Sequence, residues 1–480
     1  MVSEMHIHQS ETKSGAMQFV AGHSMNTILV AVEFTVKANS KLVALFGLGA
    51  LSLLGALGCE PPTQTGPKFL ANRVYSLKAG IENELELDPT LADIQVVLDE
   101  YFGTAAEPKI PKYFADSEDF AQLLDLEKLK RACGADPSIP RVESVYVKNC
   151  INCHAWEGSG RGPGSAGVDP YPRDFRAGVF KYKTTVRLAK PLKSDLAKTV
   201  RYGLAGSGMG AYDKITETEL NDVVEYVVYL SMRGELERKM IDYAATEFDL
   251  STTPPTRWVK DEGGKLIVNP EQQETLDGFM GEIATEWLEA NENLIEVAKP
   301  TDMPVLEKAP TTWDEVTGNA ELLASVNRGK ELFIGQAAVC SSCHGPGGLG
   351  DGRTTDYDDW TKEWTARINV DPTDAEAVIP FLLRGALPPK TIKPRNLREG
   401  VYRGGKTPED IYRRLRHGIP YAPMPAITTV ASNDEPGLTE KDLWHLVNYV
   451  LAMPVEPKPW PAAPATPPAT PAPVAEEAAE

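Results

Sequence analysis

Apolar positions recur at i, i+3, i+4 and i+7 twice along the chain, at Leu220, Val223, Val224 and Val227 and again at Leu443, Leu446, Val447 and Val450. Each set predicts an amphipathic helix with one buried stripe. Two further helices are predicted over residues 89–102 and 117–133, and a longer helical pattern over 272–297 is bounded by prolines on both sides. From 456 to 480 the chain is Pro/Ala-rich, a composition that does not build a packed core and predicts disorder.

One apolar stretch has no helical stripe. Residues 42–58 are uncharged, follow Lys37 and Lys41, and end at Cys59. A basic start before an apolar run is an export signal. Ala56-Leu57-Gly58-Cys59 resembles a bacterial lipoprotein box, with Cys59 as the lipid-bearing residue; a retained membrane anchor is the alternative, because the run just spans a bilayer if tilted or extended. Glu4, Glu11 and Glu33 precede the basic start and point to a translation start further along, at Val36. On either reading the remainder is exported and tethered to a membrane.

At 480 residues the chain has room for two or three domains. Its net charge of −19 argues against nucleic acid as a partner. The charge is uneven. Residues 172–201 carry nine Lys/Arg and two acids, residues 390–416 nine and three, while 241–321 hold five bases and eighteen acids. The two basic segments are read as lying near a cofactor edge or as docking an acidic partner.

Only six cysteines are present, and four of them form two strings, Cys150-Ile-Asn-Cys153-His154 and Cys340-Ser-Ser-Cys343-His344. Two thiols three residues apart on one helical turn can add to the two vinyl groups of a haem, while the next residue offers its imidazole to the iron. A zinc site made by the two C-x-x-C pairs is the competing reading, but it gives the two histidines no purpose; a disulfide within each pair is a third. Outside the leader the histidines are His154, His344, His417 and His445.

The surroundings of the strings repeat. Pro172-Arg173-Asp174-Phe175-Arg176 returns as Pro394-Arg395-Asn396-Leu397-Arg398. Arg201-x-Gly203-Leu204 and Met209 return as Arg416-x-Gly418-Ile419 and Met424. The step from Cys150 to Cys340 is shorter than the step from Pro172 to Pro394, so the second copy holds an insertion between its string and its Pro-Arg motif. Met209 and Met424 lie in Gly/Pro-rich loops where core packing explains them poorly, unlike Met232, Met240, Met280, Met303 and Met453.

With these motifs each copy resembles a class I cytochrome c: an N-terminal helix, the C-x-x-C-H string, a loop that brings a methionine to the far side of the haem, and a closing amphipathic helix. The resemblance implies an all-α fold and two covalently bound haem c groups. Cys150, Cys153, Cys340 and Cys343 would form the thioethers, His154 and His344 the proximal ligands, and Met209 and Met424 the distal ones. His417 is the rival for the second iron and His445 a weaker one, both expected at the surface. Gly329 and Phe333 match the family's N-terminal helix, where glycine lets the last helix cross closely, whereas the first copy has Val142 and Tyr146 at these places. The family's proline turn, whose carbonyl holds the proximal imidazole, is matched by Pro163, and the same count in the second copy lands on Arg353.

The organisation expected is a leader over 1–58, a helical extension over 59–138, haem domains over 139–235 and 319–455 with an acidic helical spacer at 236–318, and the tail over 456–480. No general base, nucleophile or substrate pocket is legible. The expected function is that of an electron carrier rather than an enzyme, passing single electrons between respiratory redox partners, such as a terminal oxidase or a quinol-oxidising complex, at the periplasmic face of a membrane. The alternatives are a dihaem peroxidase and a cytochrome subunit of an exported dehydrogenase or oxidase complex.

Overall fold

The computed structural model describes residues 67–252, 256–258, 270–352, 356–431 and 437–457. The leader, Cys59 and the tail from 458 onward lie outside the described residues, as does Arg353. Among the described residues the fold is all-α. Strands are confined to two short pairs, β1 (Asp356–Tyr357) with β2 (Thr391–Ile392), antiparallel, and β3 (Thr429–Val430) with β4 (Leu438–Thr439), parallel. No described helix is long and apolar enough to cross a membrane.

The extension folds as α1 (Arg73–Asn83), α2 (Asp88–Phe102), α3 (Lys112–Ala115) and α4 (Leu126–Cys133). Pro89 in the first turn of α2 suits the predicted start, since a helix N-terminus has no use for the missing N–H. The helix expected over 117–133 forms only from Leu126, where the Asp125 carboxylate accepts from the N–H groups of Glu127 and Lys128. Cys133 is fully buried at the end of α4, as its small size allows, and burial pushes its thiol up to about 11.

The first core is built around α8 (Glu217–Glu247), which starts in a capping box between Thr216 and Glu219. Most of α8 from Leu220 to Leu236 is buried, so its charged side chains need partners. Asp222 accepts from Arg131 Nε and Nη2 at 2.9 and 2.7 Å, Glu237 accepts from the Asn72 N–H and from Gln95, and Glu235 pairs with Lys190. The boundary expected at 235 therefore falls inside a helix: Leu236, Met240, Ile241 and Ala244 continue the buried face with no proline to stop it. Helix α9 (Pro270–Leu288), expected in the spacer, packs Leu276, Met280, Ile283 and Ala284 into this same core.

The first haem string lies between α5 (Val145–Asn149) and α7 (Lys193–Tyr202), on the short turn α6 (Ile151–His154). The N-terminal helix expected ahead of it is broken. Gly134, Pro137 and Pro140 separate α4 from α5, and Val142 sits 69% exposed in a short turn. Helix α4 makes the crossing with α8 instead, with Leu129, Ala132 and Cys133 buried and Arg131 held by Asp222. Tyr146 still takes the aromatic place, packed edge-on against Tyr226 at 4.8 Å.

The second core forms where α11 (Ala320–Ile334) crosses α16 (Glu440–Ala452), with α10 (Asp314–Thr317), the haem turn α12 (Cys340–His344) and α15 (Pro408–His417) around it. A Cβ at Gly329 would collide with the His445 carbonyl oxygen and crowd Tyr449, so the predicted close crossing is present here. Phe333 packs edge-on against Tyr449 at 5.5 Å. Gly329→Ala is expected to destabilise the protein by about 1–3 kcal/mol, the usual penalty of overpacking. Thermal melting followed at the second haem checks it, and an unchanged midpoint would mean that the helices can separate without cost.

The insertion of the second copy folds as α13 (Asp359–Thr365) and α14 (Ala375–Leu383), closed at their base by β1 and β2. Trp364 stacks on Phe381 at 4.7 Å, and both join Val74 of α1 and Val378 in a small third core. The insertion thus ties the second half of the chain to the extension.

Candidate haem centres

Both strings form the helical turn that their spacing predicts. In the first, the Cys150 carbonyl accepts from the N–H of Cys153 and His154; in the second, Cys340 to His344 make one turn. The residue after each histidine has positive φ, Ala155 at 59° and Gly345 at 72°. Ala155 carries a strain there that glycine would not, and its carbonyl is held by the Tyr146 hydroxyl at 2.8 Å.

A glycine strap follows each histidine. Gly160 N–H donates to the His154 carbonyl and Gly350 N–H to that of His344; two residues earlier, the carbonyls of Gly158 and Gly348 accept from Phe175 and Leu397 N–H at 2.8 Å. A Cβ at Gly160 or Gly350 would strike the carbonyls of the Pro-Arg segment, so glycine is what lets that segment pass beside the histidine. The result is the same bond twice: His154 Nδ1 lies 3.1 Å from the Arg173 carbonyl and His344 Nδ1 lies 3.1 Å from the Arg395 carbonyl.

This corrects the expectation for Pro163. The acceptor at the first histidine is the Arg173 carbonyl, and the second copy, for which the count to Arg353 offered none, uses Arg395 in the same way. A donor role for Nδ1 toward a carbonyl leaves the Nε2 lone pair for a metal, and such a contact fixes the ring and raises its basicity. Burial holds His154 down to about 4, the carbonyl contact opposing it, and lowers His344 in the same direction. Both rings are therefore neutral near pH 7.

The thiols fit thioethers better than zinc ligands. Burial pushes the Cys150 thiol up to about 12 and the Cys340 thiol up to about 11. Among the described residues no three His, Cys, Asp or Glu side chains gather where they could hold a metal ion, so the two C-x-x-C pairs do not meet, and the cysteines are free of disulfides. Phe175 stacks on the His154 ring at 4.5 Å and gives that site an apolar wall.

The methionine loops are also built twice. The Leu204 N–H donates to the Met209 carbonyl at 2.9 Å and the Ile419 N–H to the Met424 carbonyl at 3.2 Å; Ser207 N–H and Ala422 N–H close the inner turn in both. Tyr212 ties the first loop to its string through a 3.0 Å bond from its hydroxyl to the Asn149 carbonyl, and Met424, like Cys340, is partly buried against the second core. Met232, Met240, Met280 and Met453 are fully buried core residues. His445 is only partly exposed: it lies at the crossing of α11 and α16 with Nδ1 2.8 Å from Ser325 Oγ. His417 ends α15 and lines a basic crevice with Lys183, Arg187, Arg413 and Arg414.

Much of both basic segments faces the other half of the molecule. Lys181 and Arg173 bind Asp359, Lys198 binds Asp410, and Tyr182 packs against Gly404. Trp360 of the insertion donates from Nε1 to the Pro172 carbonyl at 2.9 Å and lies under the Arg161 guanidinium. Sequence reasoning missed the roles of Gly160, Gly350, Arg173 and Arg395, although a glycine at the same distance after each histidine and the repeated Pro-Arg pair were both visible.

With this geometry in place, residues 137–227 match the family model for cytochrome c oxidase, cbb3-type, subunit III, and residues 326–454 match that for cytochrome c. The chain carries two cytochrome c domains in tandem and is a multi-domain c-type cytochrome. Such domains imply covalently bound haem c and electron transfer. No curated protein matches the chain. A solved chain of the reducing HAO-like protein complex of Kuenenia stuttgartiensis is similar at 21% identity over 64% of this chain and 94% of that one, with a TM-score of 0.36.

Proposed function

We propose that the protein holds one haem c at each string and carries single electrons between redox proteins. Cys150 with Cys153 and Cys340 with Cys343 would form the thioethers, His154 and His344 would ligate iron through Nε2, and Met209 and Met424 would complete the coordination. The observation that carries this reading is the contact made twice at 3.1 Å, from each histidine Nδ1 to the carbonyl of a Pro-Arg arginine. Haem supplies a one-electron ferric/ferrous couple when bound. The chain's part is to orient two neutral imidazoles, to present a thioether, which favours the ferrous state, and to keep water from the ring of His154 with Phe175.

The partners proposed are a terminal oxidase or a quinol-oxidising complex, met at the periplasmic face of a bacterial membrane. Oxidised protein with two low-spin haems that does not consume peroxide supports a carrier; steady peroxide turnover would favour the dihaem peroxidase, which needs an open distal position. Membrane attachment rests on the leader-like run and Cys59. Cys59→Ser is expected to shift the protein from the membrane to the soluble periplasmic fraction or to leave its signal uncleaved, because the lipid thioether cannot form. Continued membrane retention after cleavage would remove the lipoprotein assignment and leave the haem sites untouched.

A further inference from the structure

The two Pro-Arg arginines share a second property. Each has its carbonyl on the histidine of its own domain and its guanidinium on the other half of the molecule. Arg173 Nη2 reaches Asp359 Oδ2 in the insertion at 3.2 Å. Arg395 Nη1 donates to the Gly206 carbonyl at 3.0 Å, and Arg403 Nη2 donates to that same carbonyl at 3.0 Å. Gly206 is three residues before Met209, inside the loop that the Leu204-to-Met209 bond closes.

The fit is tight and charged. Gly206 has φ near +70°, and a Cβ there would collide with the Arg395 guanidinium. Arg395 Nη2 also donates to the Val401 carbonyl at 3.3 Å, so the side chain is held from both domains, and its Nε is buried without a partner. Among the described residues no carboxylate forms an ion pair with Arg395 or Arg403. Two like charges converge on one neutral carbonyl; the Glu399 carboxylate favours the Arg395 cation without forming an ion pair with it, so the arrangement stays sensitive to a charge change nearby.

We propose that Arg395 is a positioning residue shared by the two centres: its carbonyl orients His344 and its guanidinium holds the Met209 loop, so that the oxidation state of one haem alters the potential of the other. The proposal rests on the reading above, with haem at both strings and Met209 on the first iron. It makes the interface between the domains a coupling element and gives the 390–416 basic segment a defined use.

The test is a redox titration of the full-length haem-loaded protein, following both haems optically together with the near-infrared band of methionine-ligated ferric haem. Arg395→Met keeps the carbonyl at His344 and removes the guanidinium. It is expected to shift the reduced-to-oxidised ratio of the first haem at fixed potential by about tenfold, as loss of a charged hydrogen bond to its loop would, and to make the two haems titrate independently. A purely local structural role would move the second haem alone. Gly206→Ala perturbs the same contact from the other side and is expected to shift the second haem; it also decides the matter should the arginine variant not fold. First-haem behaviour unchanged in Arg395→Met, or a Gly206→Ala effect confined to the first haem, would overturn the proposal. Failure of the underlying reading shows itself differently: a Met209→Ala protein that keeps the methionine band of its first haem removes that ligand and the coupling with it.

Discussion

Replacing Cys150 and Cys153 together by alanine is expected to leave a protein with one covalently attached haem instead of two. The first string would lose both of its bonds, while the second string sits in a separate core and has its own strap, Pro-Arg carbonyl and methionine loop. Denatured variant protein should stain for haem at half the wild-type intensity and weigh one haem less. The first domain should also lose stability, because Cys150 and Ile151 pack against a core that has Phe175 as its wall beside His154. Alanine at Cys340 and Cys343 should give the mirror result. A variant that keeps two haems would show that the first string is not an attachment site.

Met424→Ala is expected to lower the potential of the second haem substantially, within the roughly 0.8 V range that axial ligands command, and to open a position for water or peroxide. A thioether favours ferrous iron, and the loop that presents it is closed by the Ile419-to-Met424 bond, which alanine retains. The loop should therefore keep its shape and lose only the ligand. The measurement is a potentiometric titration with optical detection, with high-spin bands growing at one haem only. An unchanged potential would place another group on that iron, and His417, at the end of the helix that leads into the loop, is the residue to substitute next.

What can be read from the sequence is whatever is local or repeated. The haem strings depend on the C-x-x-C-H spacing, and the methionine loops betray themselves because Gly203-Leu204 to Met209 returns as Gly418-Ile419 to Met424. Gly329 is legible as a crossing point through the resemblance, which places a glycine where the last helix crosses closely, and a Cβ there would meet the His445 carbonyl. The histidine acceptors are not legible, because a backbone carbonyl has no side chain to mark it; counting to Pro163 locates a turn and not the acceptor. The first N-terminal helix is misread because a separate helix further up the chain, α4, takes over the crossing with α8 and leaves Tyr146 on a shorter one. The boundary at 235 falls where the resemblance to a single domain stops, yet the apolar face of α8 continues, and α9 covers it. The part played by the insertion lies furthest out of reach. Asp359 and Trp360 meet Arg173 and Pro172, their partners far back in the chain, and neither residue type announces a domain contact.

Whether both strings carry covalent haem is decided by the mass of the denatured full-length protein, taken with its iron and zinc content. The expected result is a mass above that of the processed chain by two haem groups, two irons per chain, no zinc, and a red chromophore that survives denaturation and extraction. A chain at the bare polypeptide mass, or one holding zinc in place of iron, would rule out covalent haem at the strings.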